Sequence, residues 1–161
     1  MSIVTPYIES LEQLKADIPL IASDIVEKNA EKIILILQNK QLGLGLDSFG
    51  QPLSFTQGKY SGDGFYAEAT EIIAAKESTR KPKIAGQSYN FQWTGSTFDT
   101  MFLKTDDGGQ YEIMTRDGKQ RMLEAIYGEI FDMTPEHNNF INETIIKPQL
   151  YQHLLENLFK F

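Results

Sequence analysis

Ile8, Leu11, Leu14 and Ile18 recur at helical spacing behind Thr5 and Pro6, an N-cap residue followed by proline at the first helical position. This pattern predicts a short amphipathic helix. Pro19 is then expected to open a second helix, with Ala22, Val26, Ala30, Ile33 and Leu37 on one face until Gly43 and Gly45 end it. Within EKIILILQNK the apolar residues occupy more than one face, which places this stretch at the centre of a core or between partners.

The periodicity stops at Gly43. From there to Gly64 the chain is rich in Gly, Ser, Asp and Pro and predicts a long irregular excursion. FYAEATEIIAA, from Phe65 to Ala75, returns to good helix formers, and residues 76–88 read as a second extended loop. Tyr89, Phe91 and Trp93 alternate with Asn90 and Gln92, the period of a half-buried strand that Thr94-Gly95 would end. Phe98, Met101 and Leu103, the polar TDDGGQ and the returning YEIMT predict a β-hairpin over about residues 98–115. Met122, Leu123, Ile126 and Tyr127 are spaced for a helix closed by Gly128, and Thr134-Pro135-Glu136 opens a C-terminal helical region bent or divided at Pro148. The expected fold is therefore one α+β domain spanning residues 1–161. Its N-terminal helices and C-terminal helical region would pack on a small antiparallel sheet, with loops at 43–64 and 76–88.

Composition narrows what such a domain can do. A chain of 161 residues with 41% hydrophobic and 23% charged residues has enough apolar surface for a core without staples. With no cysteine, disulfides, thiolate metal sites and a cysteine nucleophile are excluded. The net charge of −7 disfavours non-specific binding to phosphate backbones. KESTRKPK, from Lys76 to Lys83, is the one basic cluster, and its proline and polar neighbours predict a solvated loop. A basic start followed by an apolar run is missing, as is any long uncharged apolar stretch, so neither a standard secretion signal nor a membrane span is expected.

Recognisable chemistry is sparse. GQPLSFTQGKY carries Gly58-Lys59, but its glycine spacing is wrong for a P-loop and Tyr60 stands where Ser or Thr must hold magnesium. LGLGLDSFG follows a helix rather than a strand, unlike a dinucleotide-binding turn, and DSFGQPLSF lacks the oxygen ligands of a calcium loop. His137 and His153 show no ligand spacing and are expected at the surface. Ser48, Ser54, Ser61 and Ser96 have no local base. Asp99, Asp106, Asp107, Glu112 and Asp117 offer carboxylates but no diagnostic pair. No catalytic, cofactor-binding or metal-binding residue is expected, and the protein is not expected to be an enzyme.

GLDSFGQPLSFTQGKYS, a lysine-containing spacer, WTGSTFDTMF and IMTRDGKQRMLEAIYGEIFDM follow one another in an order that resembles small phage structural proteins. These are proteins of the virion-morphogenesis, tail-completion and neck, or head-tail connector, type. The parallel covers roughly residues 43–148. It implies a non-enzymatic subunit of an oligomeric ring whose partners are itself and neighbouring virion proteins. DNA would at most pass through a lumen, without sequence-specific contact, and neither membrane nor small-molecule substrate is implied. The implied location is the virion, with synthesis in the bacterial host cytoplasm. As framework or interface residues the resemblance marks Asp47, Gly50, Pro52, Tyr60, Thr94, Gly95, Phe98, Asp117, Lys119, Tyr127 and Gly128. Trp93 is expected to be an anchor, either of the subunit's own core or of an interface. The alternative from another class is an acidic monomeric binding module, of inhibitor or immunity type, covering a basic partner.

Overall fold

The computed structural model describes residues 5–57, 60–92, 94–106 and 108–158; of these, 5–7, 55–57, 60, 61 and 158 are described by backbone alone. Trp93 and Asp107 lie outside the described residues, as does the side chain of Tyr60.

The two predicted N-terminal helices are one. Helix α1 runs from Thr5 to Lys28 with Pro19 inside it. A proline at that depth removes one backbone hydrogen bond and costs about 3 kcal/mol. Tertiary packing offsets it: α1 lies against the C-terminal helical region and one strand of the central hairpin, and buries Ile25 and Val26. The break falls instead at Asn29, whose Nδ2 donates to the Ile25 carbonyl at 2.8 Å and competes for a helical acceptor. Helix α2 (Ala30–Ile36) continues into a π turn (Leu37–Gln41) and a 3-10 turn (Leu42–Leu44). Gly45, at φ +72°, ends the run. Ile33 and Leu37 are fully buried, so the apolar EKIILILQNK stretch serves mainly the core of the subunit itself.

Within the expected loop at 43–64, the described residues form local regular structure. Asp47 Oδ1 accepts the backbone N–H groups of Phe49 (2.9 Å) and Gln51 (2.8 Å). Gly50 takes φ +75°, and Leu46 bridges Pro52. Asp47, Gly50 and Pro52 thus build a tight Asx turn. An antiparallel pair follows, β1 (Phe55–Gln57) with β2 (Tyr60–Gly62). Local side-chain hydrogen bonding explains the order that a Gly/Ser/Asp-rich composition conceals.

Of the strand expected at 89–93, the described residues 89–92 form no strand. Ser88 makes a single bridge to Phe65, and Phe91 has φ +49°, the one left-handed non-glycine among the described residues. Helix α3 (Glu68–Ala74) precedes this segment and α4 (Ser96–Asp99) follows it, so Phe98 sits on a helical turn rather than on the hairpin.

The hairpin itself is present as β3 (Met101–Thr105) and β4 (Tyr111–Thr115), with Leu103 opposite Ile113. Asp106 Oδ1 closes its tip by accepting the N–H groups of Gly108 and Gln110, each at 2.9 Å. Met101, Leu103, Tyr111 and Ile113 face a core that also contains Val26, Ile33, Leu37, Leu53, Phe98, Ile130 and Ile141. Each such burial stabilises by about 1.5–3 kcal/mol.

Helix α5 (Gln120–Tyr127) ends at Gly128, φ +80°. Thr134 caps helix α6 (Pro135–Ile141), its Oγ1 accepting the His137 N–H at 3.2 Å. A π turn (Asn142–Ile146) then leads directly into α7 (Lys147–Leu158). The predicted division at Pro148 is therefore a change of helical pitch before the proline rather than a gap, and Pro148 occupies the first turn of α7. The fold is α+β, helices around a small antiparallel hairpin. Among the described residues no helix is long and apolar enough to cross a membrane.

Candidate functional site

Asp117 ties the two most distinctive sequence motifs together. Its side chain is only 7% exposed. Oδ2 accepts from Thr97 Oγ1 at 2.7 Å and Ser96 Oγ at 3.3 Å, while Oδ1 accepts from the Lys119 backbone N–H at 3.0 Å and Thr115 Oγ1 at 3.3 Å. Burial pushes the Asp117 carboxyl up, but the hydrogen bonds from Thr97, Lys119 and Thr115 outweigh it and hold the group below the usual carboxylate range. The ionised form therefore clasps α4 to the segment that leads from β4 into α5.

Lys119 Nζ reaches Ser96 Oγ at 3.0 Å and lies 3.9 Å from Asp117 Oδ2. Ser96 Oγ thus accepts from the Lys119 ammonium and donates to the Asp117 carboxylate, which closes a hydrogen-bonded trio between α4 and the β4–α5 segment.

Gly95 stands at the N-cap position of α4 with φ +85°, and a Cβ there would lie 2.5 Å from Arg80 Cδ. Arg80 is held in place by Asp99. Gly95→Val is expected to lower the unfolding free energy by about 2–3 kcal/mol, mostly from forcing a β-branched residue into the left-handed region. Urea denaturation measures this, and a change below about 0.5 kcal/mol would contradict the strained geometry.

Beside this clasp opens a cleft of about 370 Å³ whose wall is aromatic. Tyr66 meets Tyr89 edge-on at 5.0 Å between ring centroids, Tyr89 meets Tyr127 at 6.2 Å, and Phe91 meets Tyr127 at 5.1 Å. Local structure explains the assembly. The Tyr66 carbonyl accepts from Gly86 N–H and its N–H donates to the Gln87 carbonyl, which holds residues 65–67 against residues 84–88. Helix α5 brings Tyr127 across from the other side, and the left-handed turn at Phe91 swings that ring in to meet it.

Lys83 contradicts the solvated-loop expectation for residues 76–83. Most of that loop is exposed, but Lys83 is only 3% exposed. Its ammonium lies 5.4 Å from the centre of the Tyr66 ring and donates to Asn90 Oδ1. Desolvation, with a smaller contribution from Lys81, lowers its pKa to about 8. Asn90 Oδ1 also accepts from Tyr66 Oη at 3.1 Å and from the Gln92 N–H at 3.2 Å. One amide oxygen is thus shared by three donors. Burial raises the hydroxyls of Tyr66, Tyr89 and Tyr127 above the ordinary tyrosine value, that of Tyr127 to about 12, so the wall stays uncharged near neutrality.

The structure brings Thr94, Lys119 and Tyr127 to this cleft and Gly95, Phe98 and Asp117 to its supporting clasp. Asp47, Gly50 and Pro52 belong to the separate Asx turn, and Gly128 only terminates α5. Lys83, Tyr66 and Asn90 carry no motif, and their signal in the sequence is no more than a lysine next to an aromatic-rich run. His137 departs from the expected surface position: it is half-buried, with no hydrogen-bond partner for Nδ1 among the described residues, whereas His153 is exposed. Among the described residues, no group of three or more His, Asp or Glu side chains is arranged to hold a metal. Comparison of the chain with protein-family models, curated proteins and solved structures finds no match in any of the three.

Proposed function

We propose that the protein is a non-enzymatic structural subunit of a phage or phage-like virion, a head-tail connector, neck or tail-completion component that joins an oligomeric ring. The observation that carries the reading is apolar surface left in water on well-ordered elements. Phe49 is 72% exposed at the tip of the Asx turn, and Ile72 and Ile73 on α3 are 58% and 51% exposed. Ile8, Leu11 and Leu20 are likewise exposed along α1. Covering one such side chain in an interface yields about 1.5–3 kcal/mol, so several together supply a subunit contact that the monomer alone forgoes. The net charge of −7 suits a ring crossed by DNA, because an acidic wall does not retain the duplex.

Native mass spectrometry and negative-stain microscopy at high protein concentration test this. Closed rings are expected, and Phe49→Ser combined with Ile72→Ser is expected to weaken assembly at least tenfold while the monomer keeps its melting temperature. A strict monomer that captures one basic protein would replace this reading with the inhibitor or immunity-type module.

A further inference from the structure

We propose that the aromatic cleft binds a carboxylate carried on an apolar or aromatic stem, with the Lys83 ammonium as its counter-ion and the Tyr66–Tyr127 wall against the stem. A buried ammonium without a counter-charge is the costliest arrangement a lysine can adopt, and in most folds a carboxylate lies beside it. Here, among the described residues, no carboxylate lies within ion-pair distance of Lys83. Among the described residues its hydrogen-bond acceptor is the Asn90 amide oxygen, already shared with Tyr66 and Gln92. An ammonium has three N–H donors, more capacity than one shared amide oxygen and the Tyr66 ring face take up. Lys83 lines the cleft, and the space beside it matches the volume of a small-ligand site.

The wall selects the stem. Tyr89 and Phe91 pack edge-on against Tyr127, and with Tyr66 and Leu123 they give the cleft a largely apolar lining that takes a planar or aliphatic group rather than a second charge. Lys119 also lines the cleft but is already engaged by Ser96 and Asp117, which leaves Lys83 as the lining cation without a carboxylate among the described residues. The strained Phe91, φ +49°, is held in place by the same cluster. Two sources carry this chemistry: a free small organic acid, or an Asp or Glu side chain of a second copy of this acidic chain.

The test titrates dilute parent protein with 3-phenylpropionate, followed by backbone amide shifts in two-dimensional NMR, beside the uncharged 3-phenylpropionamide. Saturable shifts clustered at residues 66, 83, 89 and 127 are expected for the acid, with at least tenfold weaker binding of the amide. Lys83→Met is expected to melt no lower than the parent and to lose at least tenfold in affinity for the acid, and Lys83→Arg to stay within a few fold of it. Equal binding of acid and amide, no binding of the acid at millimolar concentration, or undiminished binding by folded Lys83→Met would each overturn the assignment. The acid-amide comparison uses the parent alone, so it decides the matter even if the variant fails to fold.

Competition identifies the source. Self-association of the parent that the acid dissolves, and that Lys83→Met lacks, assigns the site to a neighbouring copy. Self-association that the acid leaves unchanged assigns it to a free acid. A parent that never associates removes the ring reading and leaves the cleft standing on the titration.

Discussion

Gly64→Ala is expected to lower the unfolding free energy by about 4 kcal/mol, combining a left-handed residue with severe overpacking. Gly64 has φ +89°, and a Cβ there would lie 2.2 Å from the Leu53 carbonyl oxygen. That oxygen belongs to the backbone of a fully buried residue and cannot swing aside like the end of a side chain. The Gly64 carbonyl in turn accepts the Tyr89 N–H at 3.0 Å, so the displacement reaches the cleft wall. Gly86→Ala is the control. Gly86 has a similar φ of +76° but nothing within 4 Å of the added methyl, and its cost should be only about 1 kcal/mol, the dihedral contribution alone. Urea unfolding of both variants separates contact from conformation. Equal costs would mean that the Leu53 contact relaxes freely.

Gln41→Leu is expected to cost about 3–4 kcal/mol although it preserves volume and adds apolar surface, because it strands buried backbone groups. Gln41 is fully buried. Its Nε2 donates to the Asp132 carbonyl at 2.7 Å and more weakly to the Ile130 carbonyl at 3.4 Å, and its Oε1 accepts the Thr134 N–H at 3.1 Å. One side chain thus pins the end of the N-terminal helical run to the loop that starts α6. Leucine leaves the buried Thr134 N–H and Ile130 carbonyl without this partner, and the part-buried Asp132 carbonyl likewise. Denaturation measures the loss, and hydrogen exchange at the Thr134 amide localises it. A loss below about 1 kcal/mol with unchanged protection there would show that water or the backbone replaces the glutamine.

Neither residue stands out in the linear chain. Gln41 reads as one polar position near a helix end, and Gly64 as one glycine among many in a turn-rich stretch. Their importance comes from what lies opposite, which is a long-range fact. Elements governed by neighbours in sequence were readable instead. The β3–β4 hairpin follows from alternation around an Asp-Gly-Gly tip, the start of α6 from a threonine cap before proline, and the end of α5 from Gly128.

Misreadings have the same origin. Pro19 and the 89–93 alternation are strong local signals, yet α1 continues through the proline because packing along its length outweighs one lost hydrogen bond. The Tyr-Asn-Phe-Gln alternation builds no strand because no partner strand lies alongside it among the described residues, and its aromatic rings turn together to line a cleft.

The candidate site divides along the same line. By itself the sequence determined an α+β domain, a hairpin and a break in the chain's alternation at Thr94-Gly95, while Thr94, Gly95, Asp117, Lys119 and Tyr127 were marked only through a resemblance that did not place them together. Only the tertiary structure decided that Asp117 is the acceptor that clasps that framework, and that Lys83 leaves its basic loop for a desolvated place against Tyr66 and Asn90. Dihedral preference, capping and turn chemistry act over a few residues and are written in order along the chain. Desolvation and charge pairing depend on which distant groups the fold brings within a few ångströms, and no spacing of letters encodes that distance.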